Sequence, residues 1–230
     1  MHQRHHTRNS GMLSGILFSI PIAGSEAEYH ALSYTWGKDE KKEAISTNLG
    51  LVYVTANLDS AIRRLLCDYG PGICVWADAL CINQDDAREK SRQIRLMPSI
   101  YSNANLVVAY LGREDEDSEA AIELVKKINE ISLEKTKPKP NGFDDLESCG
   151  LPRKDDQTWT AFQRFVSRAW FRRVWIIQEF VLARNIILLW GLGRHLRFEA
   201  LIVTVLQIAK LGFVPFVFAY HNSNKPPPLN

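Results

Sequence analysis

Apolar residues recur along the chain in two periods. From Asn57 onward they fall at Leu58, Ala61, Ile62, Leu65 and Leu66. That is one helical face, with Asn57 in the N-cap position. The same period runs through 86–101, where Ile94, Met97 and Tyr101 form the stripe and Glu89 can pair with Arg92 or Gln93. Pro98 lacks an amide N–H, so a kink or an early end is expected there. Further helices are predicted over 116–131, 157–167, 171–183 and 198–211. Strand-type runs lie between them: 16–22, where Ile16, Phe18, Ile20 and Ile22 alternate, then 29–37, 73–78, 103–112 and 185–190. Ala44–Thr47 and Leu51–Thr55 read as a hairpin through Asn48-Leu49-Gly50, and Gly70-Pro71-Gly72 breaks the chain.

Strand, helix, strand, helix, strand in succession predicts an α/β fold. The expected form is an open, mostly parallel sheet flanked by helices, with a small hairpin and a C-terminal helical part. Residues 1–28 read as a tail and leading strand, 29–192 as the domain, 193–220 as an extension packed on it, and 221–230 as a disordered tail. Residues 132–156, with "KTKPKPNG" and clustered acids, read as a long surface loop.

Composition narrows the class. Hydrophobic residues make up 46% and charged residues 23%, with a net charge of +2. These values are ordinary for a globular protein. No single-sign block forms a phosphate-binding stripe, so no nucleic-acid partner is expected. The apolar run 200–220 contains Gln207, Lys210 and Pro215 and is not read as a membrane span. Cys67, Cys74, Cys81 and Cys149 form no CxxC pair. They predict reduced, buried thiols in a cytoplasmic protein and no zinc site. Residues 1–25, with Arg4 and Arg8 before an apolar run, also fit a secretory signal, which competes with the strand reading. His2, His5 and His6 can bind a metal, but a plain tail is the simpler reading, so no metal site is assigned.

Candidate chemistry collects at predicted strand ends. The stretch "ICVWADALCINQ" runs from an apolar strand into Asp78, Asn83 and Gln84. In an open α/β sheet that end is where ligands sit, and the two amides can hold a ribose or a phosphate. The plainer alternative, which is favoured, is that Asn83 or Asp85 caps the next helix and Asp78 ties the loop down. Ser33, Tyr34, Trp36 and Gly37 close the preceding strand at the same edge. Tyr34 and Trp36 can stack on a base or cover the core, and Gly37 permits close approach. Cys81 reads as a small core residue, since no histidine lies between His30 and His195 to serve as its base. Trp76, Trp170 and Trp190 read as packing.

The motifs "YHALSYTWG", "TANL", "VWADALCINQDDAREKSRQIRLMPSIYSNA", "YLG" and "SRAWFRRVWIIQEFVLA" occur in this order. Together they resemble the heterokaryon incompatibility (HET) domain of filamentous fungi, over about Tyr29 to Trp190. The basic first ten residues, Pro98 and the early end of the chain depart from the family pattern. They suggest a short member or a truncated gene model. The resemblance implies a role in non-self recognition and programmed cell death after incompatible hyphae fuse. The family also looks distantly similar to Toll/interleukin-receptor (TIR) domains. Some of those assemble signalling complexes and some cleave NAD. This implies a TIR-like, flavodoxin-like architecture.

"ALSYTWGKDE" is similar to the first TIR strand, and "WIIQE" places Trp175 four residues before Glu179. By that resemblance Glu179 is the candidate catalytic carboxylate, stabilising an oxocarbenium-like transition state. Ser33, Tyr34, Trp36, Gly37, Asp78, Asn83, Gln84 and Trp175 then surround the substrate. NAD is implied as a substrate, and no cofactor is firmly implied. On a continuous helix Arg172, Trp175 and Ile176 share the face of Glu179. The competing reading makes Glu179 a buried acid paired with Arg172, Arg173 or Arg184. The domain is then a non-catalytic module that assembles with its own copies or with another incompatibility protein.

Overall fold

A computed structural model describes residues 11–22, 28–37, 40–131, 143–191, 193–212 and 214. The histidine-rich start, the charged turn at 38–39, the "KTKPKPNG" stretch and the final tail lie outside these residues. In chain order the elements are β1 (Leu13–Ser14), β2 (His30–Tyr34), β3 (Glu43–Thr47), β4 (Gly50–Val54), α1 (Ala56–Tyr69), β5 (Val75–Trp76), α2 (Asp78–Cys81) and α3 (Ala87–Asn103). There follow β6 (Leu106–Tyr110), α4 (Ser118–Glu130), α5 (Gln157–Val166), α6 (Ile176–Val181), β7 (Ile186–Trp190), β8 (Arg194–Arg197) and α7 (Phe198–Lys210). Single 3-10 segments occupy Phe143–Cys149 and Ala169–Arg172.

The main sheet runs β5-β2-β6-β7-β8. β2, β5, β6 and β7 are mutually parallel, and β8 returns antiparallel to β7. Counting only these strands in chain order, the sheet reads 2-1-3-4-5. The order therefore reverses between β2 and β6. β2 and β6 are buried along nearly their whole length, as a parallel sheet covered on both faces requires. Leu32, Tyr34, Val108, Tyr110 and Leu189 pack with Leu58, Ala61 and Leu65 of α1. Ala31 and Val107 pack with Met97, Ile100 and Tyr101 of α3. Ala109, Leu188 and Trp190 pack with α4, α5 and α7 through Leu124, Phe162 and Leu201.

The predicted hairpin is present as β3 and β4, joined by Asn48-Leu49, and β1 adds to it in parallel. The alternating run 16–22 forms no strand. After Gly15 donates to the Ser46 carbonyl, the Leu17 amide donates to Asn48 Oδ1 at 2.7 Å. That side chain ends the ladder, and Ile16 and Phe18 are left exposed.

Other expectations are also corrected. Thr55, not Asn57, caps α1, its hydroxyl accepting from the Leu58 amide at 3.4 Å. α3 runs through Pro98 to Asn103. The proline costs about 3 kcal/mol in a helix interior. Burial of Met97, Ile100 and Tyr101 offsets this, at about 1.5–3 kcal/mol per large apolar side chain. The strand at 73–78 contracts to Val75–Trp76, because Asp78 already opens α2. The helix at 171–183 divides, with Arg173 to Trp175 between the 3-10 turn and α6. Leu146 and Leu151 are buried, so the second half of the 132–156 segment is anchored to the core by two side chains, while 153–156 stay exposed. β8 went unpredicted, since in "RHLR" only Leu196 is buried. All four cysteines are free, but none is fully buried: Cys67 is exposed and Cys74, Cys81 and Cys149 are half-buried.

Candidate functional site

Ser33 sits near the carboxyl end of β2 with no exposed surface. Its hydroxyl donates a short hydrogen bond to Glu179 Oε2. It accepts from Trp170 Nε1 at 2.8 Å and from Arg173 Nη1 at 3.0 Å. Arg173 also donates Nη1 to Glu179 Oε2 at 2.9 Å and Nη2 to Glu179 Oε1 at 2.8 Å. The guanidinium thus grips both carboxylate oxygens, the strongest geometry open to an ion pair. Glu179 has no exposed surface, while the Arg173 side chain keeps a fifth of its own.

The local sequence explains this placement. Trp170 lies in the 3-10 turn and Arg173 in the extended break after it, and the Glu179 amide donates back to the Trp175 carbonyl at 3.2 Å. The break swings Arg173 inward beside Ser33. With a continuous helix absent, Arg172 does not share the Glu179 face, and Arg172 is exposed. Trp175 is 46% exposed and sits in a different environment from the sealed carboxylate.

A second polar group stands at the carboxyl end of β5. Trp36 Nε1 donates to Asp78 Oδ2 at 2.9 Å, and the Ala79 amide donates to Asp78 Oδ1 at 2.8 Å. Gln84 Nε2 donates to the Asp78 carbonyl at 3.0 Å. The Tyr34 hydroxyl is buried and meets no hydrogen-bond partner among the described residues. Burial, and then the neighbouring Asp78 carboxylate, hold its phenol far above the ordinary tyrosine range. Tyr101 donates to the Leu32 carbonyl at 3.4 Å. Burial first, then the Glu179 and Asp78 carboxylates, keep its phenol protonated.

The predicted site residues therefore fall into separate groups. Ser33 joins Glu179. Trp36, Asp78 and Gln84 join one another, with Tyr34 alongside. Asn83 belongs to neither group. It is exposed, its Oδ1 accepts from the Asp85 amide at 3.1 Å, and its own amide donates to Glu89 Oε1 at 3.1 Å. Glu89 is thus engaged by the turn rather than by Arg92 or Gln93. Asp86 caps α3, accepting from the Arg88 and Glu89 amides at 2.8 and 3.1 Å. The "CINQDD" stretch ties a turn down, with the cap one residue later than expected. Gly37 takes φ 76°, the left-handed conformation that suits glycine at the end of β2.

Several residues that hold the sheet's carboxyl edge were not foreseen. Asn57 Nδ2 donates to the Thr35 carbonyl beyond β2 at 2.7 Å. Arg168 Nη1 donates to the carbonyls of Leu111 and Arg113 beyond β6 at 3.2 and 2.8 Å. Buried Arg64 Nη1 donates to the carbonyls of Trp190 and Gly191 at the end of β7 at 2.9 and 3.0 Å. The edge where an α/β sheet usually meets its ligand is thus largely filled by the chain's own side chains. Isolated arginines on helical segments give no sequence signal for such a role. Trp170 was read as packing alone, and its indole N–H is also a structural donor. Among the described residues, no cluster of His, Cys, Asp or Glu is arranged to hold a metal. No helix among them is long and apolar enough to cross a membrane.

No solved structure matches the chain significantly. Heterokaryon incompatibility protein 6, OR allele, of Neurospora crassa is 32% identical over 206 residues. That alignment covers 76% of this chain and 30% of the relative, so the chain spans under a third of the relative's length. The family model for the heterokaryon incompatibility protein (HET) matches residues 29–179, a span that begins just before β2 and ends on the buried glutamate. The chain belongs to the heterokaryon incompatibility (HET) family.

Proposed function

We propose that this chain acts in fungal heterokaryon incompatibility as a non-catalytic signalling module. It self-associates or docks another incompatibility protein in the cytoplasm, and so promotes programmed cell death. The family membership and the name of the Neurospora crassa relative support the incompatibility role. The acting unit is 29–192, with β8 and α7 packed against it. The 2-1-3-4-5 order of the main sheet supports a flavodoxin-like, TIR-like architecture.

One observation carries the non-catalytic half of the proposal. Glu179 has no exposed surface, and Arg173 and Ser33 already take both of its oxygens. To stabilise an oxocarbenium-like ribose, a carboxylate must meet the sugar directly. This one meets only its own chain, as a buried structural acid does. The NAD-cleaving reading draws on a different observation. Tyr34 leaves a buried hydroxyl without a geometric hydrogen bond among the described residues, beside Asp78 and Trp36 at the carboxyl ends of β2 and β5. An unsatisfied buried donor there suits a ligand. In that reading Glu179 is released from Arg173 when the module assembles.

The test is expression in a fungal host, with viability and cellular NAD followed together. The variants are wild type and R173Q/E179Q, which removes both charges together and whose folding thermal melts verify. The proposal expects equal killing by both, with NAD intact until death. NAD loss that precedes death under wild type and is abolished by the variant establishes the enzyme instead.

A further inference from the structure

The small sheet runs β1-β3-β4, so β4 has a strand partner on one side only. The two-residue turn at Asn48-Leu49 makes Thr47 and Gly50 a hydrogen-bonded pair. By alternation, Ile45 and Val52, then Glu43 and Val54, are hydrogen-bonded pairs as well. The backbone N–H and C=O groups of Leu51 and Tyr53 therefore point to the open side. Among the described residues no other strand pairs with them.

Natural edge strands are usually guarded by lysine, proline or a bulge. "GLVYV" has none of these. Its outer face is apolar: Leu51 is 55% exposed and Tyr53 54%. Val54 is buried and Val52 packs against the core on the other face.

We propose that β4 is a homotypic docking edge. A second copy of the chain adds its own β4 antiparallel, about a two-fold axis at Val52, and joins the two small sheets into one. Leu51 then opposes the partner's Tyr53 on both sides of the axis, and Val52 opposes the partner's Val52. Of the registers the open groups allow, this one lets both Leu51 and Tyr53 form hydrogen-bonded pairs. The hydrogen-bonded pairs fall at Leu51 and Tyr53, where the open groups are, and Val52 falls on a non-bonded pair. It also sets an aliphatic side chain against an aromatic one and buries no charge. The same patch serves both copies, so the assembly closes as a dimer. A five-residue strand covers far less than the ~800 Å² per partner of a standard interface, so the dimer is weak and answers to local concentration. The inference rests on the self-association proposed above and names its surface.

The test is sedimentation velocity on the full chain across a concentration series, with L51K/Y53K and L51K/Y53E beside wild type. Both variants change only exposed side chains, and thermal melts verify their folding. The expected result is dimerisation of wild type, at least ~10-fold weaker association of L51K/Y53K, where like charges oppose, and recovery in L51K/Y53E, where opposite charges meet. In a C67S background, V52C is expected to cross-link between copies under mild oxidation, while L51C is not. Wild-type-like association of L51K/Y53K overturns the β4 edge and leaves self-association standing on another surface. A chain that stays monomeric at every concentration, with no V52C cross-link, overturns both.

Discussion

Two stretches mark this chain as a family member, and they use their polar residues in opposite ways. In "CINQDD", Asn83, Asp85 and Asp86 are exposed, and the side-chain oxygens of Asn83 and Asp86 accept from nearby backbone amides. In "RRVWIIQE", Arg173 and Glu179 are drawn into the core and bind Ser33, 140 or more residues away in the chain. The first stretch shapes a loop that water already solvates. The second joins α6 and the 3-10 turn to β2, in a place where an unpaired group has no water to fall back on. A site-like motif thus does structural work in both, but only the buried one has a large energetic hold on the fold.

That contrast orders the expected effects. E179Q strips the charge that faces Arg173 and is expected to destabilise the chain by about 3–5 kcal/mol, read by chemical denaturation. S33A leaves the Trp170 indole and part of the guanidinium without an acceptor, and about 1–3 kcal/mol is expected in the same assay. D86A removes a two-amide cap from α3 for about 1 kcal/mol. N83A, on the exposed turn, is expected to fall within about 0.5 kcal/mol of wild type. A loss from N83A as large as that from E179Q erases the distinction between the two stretches.

The smallest effect concerns pH. His30 packs on the Tyr69 ring with centroids 4.8 Å apart. Burial lowers its pKa, with Glu28 opposing in part. The folded state therefore binds the proton less readily than the unfolded chain. The contribution is fully present above about pH 6.5, the ordinary histidine value, and is lost as pH falls through the depressed folded value. H30Q is expected to flatten this part of the curve of melting temperature against pH.

Much of the fold was legible because it rests on periodicity. The stripe of α1, the β3–β4 hairpin and the buried run of β6 can be read from residue spacing. β8 could not, since an edge strand with one buried residue carries almost no pattern. The break at Arg173 was hidden because 171–183 holds apolar residues at helical spacing on either side of it. Its cause is long-range: Ser33, 140 residues away in the chain, accepts from Arg173 and from the Trp170 indole. At the site, Glu179 with an arginine partner was among the readings open from the residues. Which arginine, and the part of Ser33, required the register of β2 against the 3-10 turn. Carbonyls beyond β6 and at the end of β7 held by Arg168 and Arg64 are contacts that no local pattern encodes.

The central claim is that Glu179 is a structural tie, and a double-mutant cycle on Arg173 and Glu179 tests it most directly. Stability is measured for wild type, R173Q, E179Q and R173Q/E179Q. The account predicts that each single change destabilises strongly and that the double change costs less than the two single losses added together, by a coupling of about 2–3 kcal/mol. A functional carboxylate held ready for a substrate behaves otherwise, since relieving such a site commonly raises stability. An E179Q chain at least as stable as wild type, with no coupling to R173Q, contradicts the account.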